Sequence, residues 1–138
     1  MTTTINASPT NGLVQTADGS GVLKVQSNGV TTNALAWVNF NGTGTVAIRS
    51  SYNVSSITDN GTGDYTVNFA TALSDANYAL MGTTSVFTTG AGAATVLELY
   101  DAAAGGTNPT TTTARIYVHR SGVGAVDQAY VNVAIFGN

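Results

Sequence analysis

Apolar and polar residues alternate along several stretches of this chain. Tyr65, Val67 and Phe69 are each separated by one polar residue. The same period of two recurs at Ala114, Ile116 and Val118 and at Val131, Val133 and Ile135. Because successive side chains of a β-strand point to opposite faces of its sheet, this pattern predicts half-buried strands. We predict three such strands, over residues 64–70, 114–119 and 130–135.

A further segment, residues 35–40, is apolar at almost every position. A strand with two apolar faces is typical of a central position, so one face is expected in the core and the other against a neighbouring sheet or subunit. Weaker strand patterns cover residues 13–16, 22–26, 45–49, 53–58, 78–84 and 95–100. We find no window with the helical period of about 3.6 residues.

Turn residues separate these strands. Asn28-Gly29, Asn41-Gly42 and Asn60-Gly61 are typical of tight hairpins, because both residue types tolerate positive φ. Longer loops are predicted over residues 90–92 and 103–109. About ten short strands joined in this way predict an all-β fold, an antiparallel β-sandwich of jelly-roll or related type.

The first thirty or so residues have a different composition. Residues 1–30 are rich in Gly, Ser, Thr and Asn and poor in large apolar side chains. This composition predicts an extended N-terminal arm or edge element, followed by one sandwich domain over residues 31–138.

Large apolar residues on the best-defined strands are the candidates for burial. They are expected either in the core or at an interface between subunits. These positions are Trp37, Phe40, Tyr65, Val67, Phe69, Val131, Val133 and Ile135.

Charged residues are scarce. They make up 8% of the 138 residues, against about 25% in a typical protein. The cations Lys24, Arg49, Arg115 and Arg120 are scattered and the net charge is -3. Nucleic acid is therefore not a predicted partner, because phosphate binding needs clustered Lys and Arg. A neutral surface repels further copies of itself only weakly, which favours self-association.

The cysteine content and the hydropathy of the chain exclude further classes of protein. The chain has no Cys, so it can form neither a disulfide nor a thiolate metal site. The first residues lack the basic region and apolar run of a signal peptide. Membrane insertion is not predicted either, since no apolar stretch has the length of a transmembrane helix.

Residues that could catalyse a reaction are few. His119 is the one histidine, and no nucleophile motif accompanies it. Two of the acidic residues could form the carboxylate pair of a glycosidase, but most of them stand beside Gly or Asn in turn-like segments. Residues 59–64 have the oxygen ligands of a Ca²⁺ loop, although a hairpin turn accounts for the same residues. We predict no enzyme activity, no catalytic residue, no metal and no cofactor.

Sugar recognition is an open alternative. Neutral Asn, Thr and Tyr side chains on loops can bond to hydroxyl groups and stack on sugar rings. The aromatic candidates for glycan contact are Tyr52, Tyr100 and Tyr117. The same residue types are common at ordinary protein interfaces, which is the other interpretation of these positions.

Two adjacent segments resemble a known module. AWVNFNGTGTVAIR at residues 36–49 and YNVSSITDNGTGDYTVNF at residues 52–69 resemble a β-domain in virion proteins of tailed phages, a module found at the distal end of tail fibres. DANY at residues 75–78 and VNVAIFGN at residues 131–138 fit the same pattern. The resemblance covers residues 34–138 and implies a structural role with no catalytic residues to carry over.

The resemblance is compatible with two locations on the virion, the capsid surface and the tail fibre. The chain starts at its own Met1 and lacks the repetitive shaft of a fibre, which favours a capsid decoration, or cement, protein. The resemblance and the symmetry of phage lattices imply that it is a homotrimer. Residues 1–30 would be the docking arm, and the partners would be further copies and the major capsid protein. The alternative is a tail-fibre or fibre-tip protein that binds a host surface glycan and is held by a fibre protein.

Overall fold

The computed structural model describes residues 26–27, 30–85 and 95–137. Its strands are β1 (Gln26–Ser27), β2 (Val30–Thr31), β3 (Ala36–Asn41), β4 (Ala47–Tyr52), β5 (Val54–Gly61), β6 (Asp64–Phe69), β7 (Ala79–Thr84), β8 (Thr95–Leu99), β9 (Thr113–Arg120), β10 (Gly124–Ala125) and β11 (Val131–Phe136). A single 3₁₀ turn over Ala102–Ala104 follows β8. Every strand pairing is antiparallel.

Two sheets pack face to face. The four-stranded sheet has the order β4-β3-β11-β7. In the five-stranded sheet β5 pairs with β6, β6 with β9 and β9 with β8, while the short β10 pairs with the end of β9. The strands β1 and β2 pair with each other. The central strands are therefore β3 and β11 in one sheet and β6 and β9 in the other.

The core consists mainly of the inward positions of these four central strands, to which Val54 of β5 and Tyr78 add. Their alternation of buried and half-buried residues follows the period of two in the sequence. The buried apolar residues are Ala36, Val38, Phe40, Val54, Tyr65, Val67, Phe69, Tyr78, Ala114, Ile116, Val118, Val131, Val133 and Ile135. Each large side chain that is fully buried contributes about 1.5–3 kcal/mol of transfer free energy. The rings of Phe40 and Tyr65 join the two sheets edge to face, with centroids 5.2 Å apart.

The all-β antiparallel sandwich predicted from the sequence is confirmed. The jelly-roll refinement is not, since β3–β4, β5–β6 and β8–β9 are each hairpins between neighbours within one sheet. The predicted strand at residues 13–16 lies outside the described residues. So does the predicted N-terminal arm, except for β1 and β2.

Trp37 is not in the core. Ala36, Val38 and Phe40 take the inward positions of β3, so Trp37 points outward and is 39% exposed. The sequence left its place open between the core and a subunit interface. Its core placement is wrong, and its interface placement stays a prediction.

The predicted tight turn at Asn41-Gly42 is a longer loop. It covers residues 42–46, and its positive φ, 62°, falls on Gly44. The Asn41 side chain braces this loop by donating to the Thr43 carbonyl at 2.6 Å. Gly42 is required for close packing instead, because a Cβ there would lie 2.6 Å from the Tyr65 hydroxyl oxygen.

The two ends of the sandwich differ. Leu35 donates its N–H to the Ile135 carbonyl at 2.8 Å, so the described chain enters the sandwich and leaves it at the same end. We call this the proximal end; it also contains residue 53 and the connection at residues 70–78. The opposite, distal end contains the loops at residues 42–46, 62–63 and 121–130. The distal loops therefore lie at the end of the sandwich opposite to the point where the chain enters and leaves.

Candidate functional site

Planar side chains form a continuous column on the outer face of the five-stranded sheet. The stacked column consists of Arg115, Tyr100, Tyr117 and His119. Arg115, Tyr117 and His119 alternate along β9 with buried residues and so point outward. Tyr100 and Tyr117 stack with ring centroids 4.8 Å apart, and Tyr117 and His119 stack at 5.7 Å. The Arg115 guanidinium carbon lies 5.1 Å from the Tyr100 ring centroid.

Carboxylates lie beside two members of the column, Arg115 and His119. Arg115 donates two hydrogen bonds to Asp64, at 2.8 Å to Oδ1 and 2.6 Å to Oδ2. These bonds hold the pKa of the Asp64 carboxyl below its usual value. At the other end, His119 Nε2 lies 3.4 Å from Glu98 Oε2. Arg115 is therefore engaged in a bidentate pair, which occupies the fork that would recognise an anion.

The stacked column does not offer a flat platform to a sugar. A sugar stacks on the face of an aromatic ring, and the faces of Tyr100 and Tyr117 are turned toward each other. What this surface presents is ring edges and hydroxyl groups. The glycan contact predicted for these two residues would have to use the hydroxyls alone.

The aspartates of the described residues serve the fold. Four of them accept hydrogen bonds from backbone N–H groups: Asp59 from Gly61, Asp75 from Asn77, Asp101 from Ala104 and Asp127 from Gly63. Residues 59–64 form the hairpin between β5 and β6 rather than an open ion loop. Within residues 26–27, 30–85 and 95–137, no group of three or more His, Asp or Glu side chains could hold a metal ion.

A buried polar network ties three distal segments together. The Tyr65 hydroxyl donates to Asp127 Oδ1 at 2.6 Å and lies 2.9 Å from the Gly42 carbonyl oxygen. Burial, followed by the hydrogen bond to Asp127, raises the pKa of the Tyr65 phenol above its ordinary value. A buried Tyr needs a hydrogen-bond partner for its hydroxyl. Here that partner is Asp127, which lies far along the chain from Tyr65. The sequence carried no signal for it.

A groove runs along β11 on the outer face of the four-stranded sheet. Trp37, Ala134 and Met81 lie side by side on three neighbouring strands. Ala134 is short and stands between two long side chains, so the central strand becomes the floor of the depression. We call this depression the sheet groove; its volume is about 470 Å³. Its outward-facing side chains are Trp37, Asn39, Met81, Thr83, Asn132, Ala134 and Phe136.

A row of amides lies beside this apolar row. Asn39, Asn132 and Thr83 are opposite one another on β3, β11 and β7. Asn39 Nδ2 donates to Asn132 Oδ1, and Asn132 Nδ2 donates to Thr83 Oγ1 at 3.2 Å. None of the residues that line the sheet groove is ionisable. The groove therefore combines an aromatic wall with a neutral, hydrogen-bonding edge.

The three tyrosines proposed for glycan contact do not form one site. Tyr100 and Tyr117 belong to the stacked column. Tyr52 lies on the outer face of the other sheet, where it pairs with Trp37 across β3 and β4 and is 40% exposed. The sheet groove was not predicted from the sequence, because the outward residues of the groove come from strands that are distant in the chain.

The described part of the chain contains no helix long and apolar enough to cross a membrane. Comparisons with protein-family models, with curated proteins and with solved structures found no match to this chain.

Proposed function

We propose that the chain is a non-enzymatic structural protein of a phage virion, a homotrimeric capsid decoration protein. The observation that carries this proposal is the polarity of the sandwich. The chain enters and leaves at the proximal end, where Leu35 bonds to Ile135. Residues 1–30 would bind neighbouring capsid subunits from that end, and the distal loops would face outward. The resemblance of residues 36–69 to a phage virion module supports the same role.

The engaged carboxylates support a non-enzymatic role. A glycosidase needs one carboxyl free to donate a proton and a second free to attack or to activate water. Asp64 is paired with Arg115, and Asp127 accepts from a buried hydroxyl and a backbone N–H. Asp59, Asp75 and Asp101 accept from the backbone of turns. These side chains stabilise the scaffold, which suits a protein whose task is mechanical.

Decoration stabilises a shell by mass action. A protein that binds the assembled capsid and not its free subunits lowers the free energy of the assembled state, by an amount set by its affinity and concentration. The low charge of this chain lets several copies stand close together with little repulsion. Three copies around each symmetric capsid contact fit this arrangement.

The test is gold-labelled antibody electron microscopy on intact particles, with particles from a mutant that lacks the gene as the control. Label distributed evenly over the head is the expected result. Label confined to the tail or the fibre ends would replace decoration with the fibre-tip alternative. Particles that carry no label beyond the control would overturn the virion assignment itself.

The fibre-tip alternative has one observation in its favour. A receptor-binding protein needs an exposed surface that can hold a host glycan, and the sheet groove is such a surface. The sheet groove lies on strands and not on loops, where glycan contact was expected from the sequence.

A further inference from the structure

We propose that the sheet groove is a binding site for an uncharged saccharide of one or two rings. This inference goes beyond the structural role, because it concerns a ligand and holds whether the protein sits on the head or on a fibre. It assigns the site to Trp37, Asn39, Met81, Thr83, Asn132 and Ala134 rather than to the tyrosines.

The apolar side of the groove suits the C–H face of a sugar ring. Trp37 presents its indole beside the Ala134 floor and is 39% exposed, and Met81 on the opposite side is 66% exposed. A sugar ring that lies over Ala134 would contact both walls. Indoles and thioethers are polarizable, and they contact C–H groups through dispersion.

The amide row suits the hydroxyl groups. Each Asn amide has two N–H donors and a carbonyl oxygen with two lone pairs. The bonds from Asn39 to Asn132 and from Asn132 to Thr83 use one N–H of each amide. The second N–H of each amide therefore has the capacity to bond to a ligand. Because the row is already linked, the two amides are held in place before a ligand arrives, which reduces the entropy lost on binding.

Because no charged side chain lines the groove, the groove favours an uncharged ligand. A charged ligand would lose hydration here without gaining a counter-charge, because no lining residue is ionisable. A wholly apolar ligand would cover the amide row and leave its donors unpaired. An uncharged saccharide avoids both costs, since it has an apolar face and neighbouring hydroxyls.

The shape of the groove favours a ligand over a two-fold contact with a second copy of the chain; a heterologous contact within the proposed trimer is tested by the sedimentation experiment below. A two-fold contact would place one groove against the other, and two hollows do not fill each other as a packed interface requires. The volume of about 470 Å³ lies within the usual range of small-molecule sites, roughly 300–1,000 Å³.

The experiment uses the single tryptophan of the chain as its reporter. Trp37 is the one Trp in the sequence, so fluorescence excited at the red edge of the absorption band, where the six tyrosines do not absorb, reports on the groove. The full chain is screened on an array of neutral oligosaccharides of glucose, galactose, mannose and N-acetylglucosamine, together with sialylated and sulfated counterparts. Array hits are then titrated while the emission is followed. We expect saturable emission changes with neutral members and at least tenfold weaker binding of acidic ones.

Two variants locate the binding. Ala134→Leu fills the floor of the groove and Asn132→Ala removes the centre of the amide row; we expect a loss of array binding for the first and a fall of about tenfold for the second. Tyr117→Ala, on the other sheet, is the matched control and should bind as the wild type does. Circular dichroism establishes that each variant is folded.

Three outcomes would overturn the proposal. One is an array with no neutral hit. Another is binding that survives Ala134→Leu in a folded protein, which would place the site elsewhere. The last is an oligomer, measured by sedimentation, that Ala134→Leu dissociates, because the groove would then be an interface between copies. None of these results bears on the position of the label on the particle.

Discussion

The Tyr65 hydroxyl and the Asp127 carboxylate are 2.6 Å apart although 62 residues separate them in the chain. Asp127 also accepts from the Gly63 N–H, and the Tyr65 hydroxyl lies against the Gly42 carbonyl. The hydrogen bonds of the buried Tyr65 hydroxyl and the half-buried Asp127 carboxylate therefore fix the distal ends of both sheets relative to each other.

Tyr65→Phe should destabilise the protein through this pair. The substitution keeps the ring that packs on Phe40 and removes the hydroxyl that Asp127 and Gly42 share. We expect a loss of about 1–3 kcal/mol in the free energy of unfolding, because polar groups are left without their partner in a buried site. Urea denaturation followed by circular dichroism measures it. Tyr117→Phe, on the outer face of the five-stranded sheet, is the control. An equal loss in both variants would contradict the role of the hydrogen bond between Tyr65 and Asp127.

Trp37→Ala and Phe40→Ala test which face of β3 is inward. Phe40 is fully buried, so its truncation should cost about 3–5 kcal/mol, whereas that of Trp37 should cost no more than about half as much. Both values come from urea denaturation of the same preparation. A loss of unfolding free energy for Trp37→Ala as large as that for Phe40→Ala would show that the Trp37 indole is buried.

Alkaline pH should destabilise the protein through Tyr78. Burial raises the pKa of Tyr78 from 10.0 to about 12. Since the folded state holds this proton more tightly than the unfolded state, the stabilisation is complete below pH 10 and is lost as the pH rises toward 12. The urea midpoint should therefore fall between about pH 10 and pH 12. It should fall less steeply in Tyr78→Phe, and identical slopes in the two proteins would rule out this contribution.

Acid should remove the contribution of the pair between Asp64 and Arg115. The pKa of Asp64 is lowered chiefly by its hydrogen bonds to Arg115, so the stabilisation is present above the unfolded value of 3.8 and is lost as the pH falls through the folded value. Asp64→Asn should cost about 0.5–1 kcal/mol at neutral pH, because the pair is partly exposed, and less at about pH 3. Denaturation curves at both pH values measure the difference. Glu98→Gln is the exposed control, and a cost for Asp64→Asn that does not change with pH would exclude the ion pair as its cause.

The fold was predictable where one face of a strand was apolar and the other polar. In β6 the apolar residues Tyr65, Val67 and Phe69 alternate with polar residues. These three side chains are buried in the structure, as the alternation predicts. In β3 the size of Trp37 suggested burial although Asn39 and Asn41 are on the same face, whereas Phe40 shares its face with the apolar Ala36 and Val38. Phe40 is the inward residue, and it meets Tyr65 of the facing sheet.

The candidate sites were harder to predict because they consist of cross-strand neighbours. Asn39 and Asn132 bond to each other across 93 positions of sequence, and their pairing depends on the register between β3 and β11. The stack of Tyr100 on Tyr117 likewise depends on how β8 pairs with β9. Residue types alone identified the tyrosines as candidates but gave no information about which ring faces would be covered.

The shared end at which the chain enters and leaves the sandwich makes this fold a natural scaffold for peptide display. Gly44 stands in the loop at the opposite end, with open space around it and exposed neighbours on either side. A short epitope inserted after Gly44 would project away from Leu35 and Gly137, and so away from whatever surface holds the N-terminal segment. The sandwich would then act as a rigid spacer between that surface and the inserted peptide.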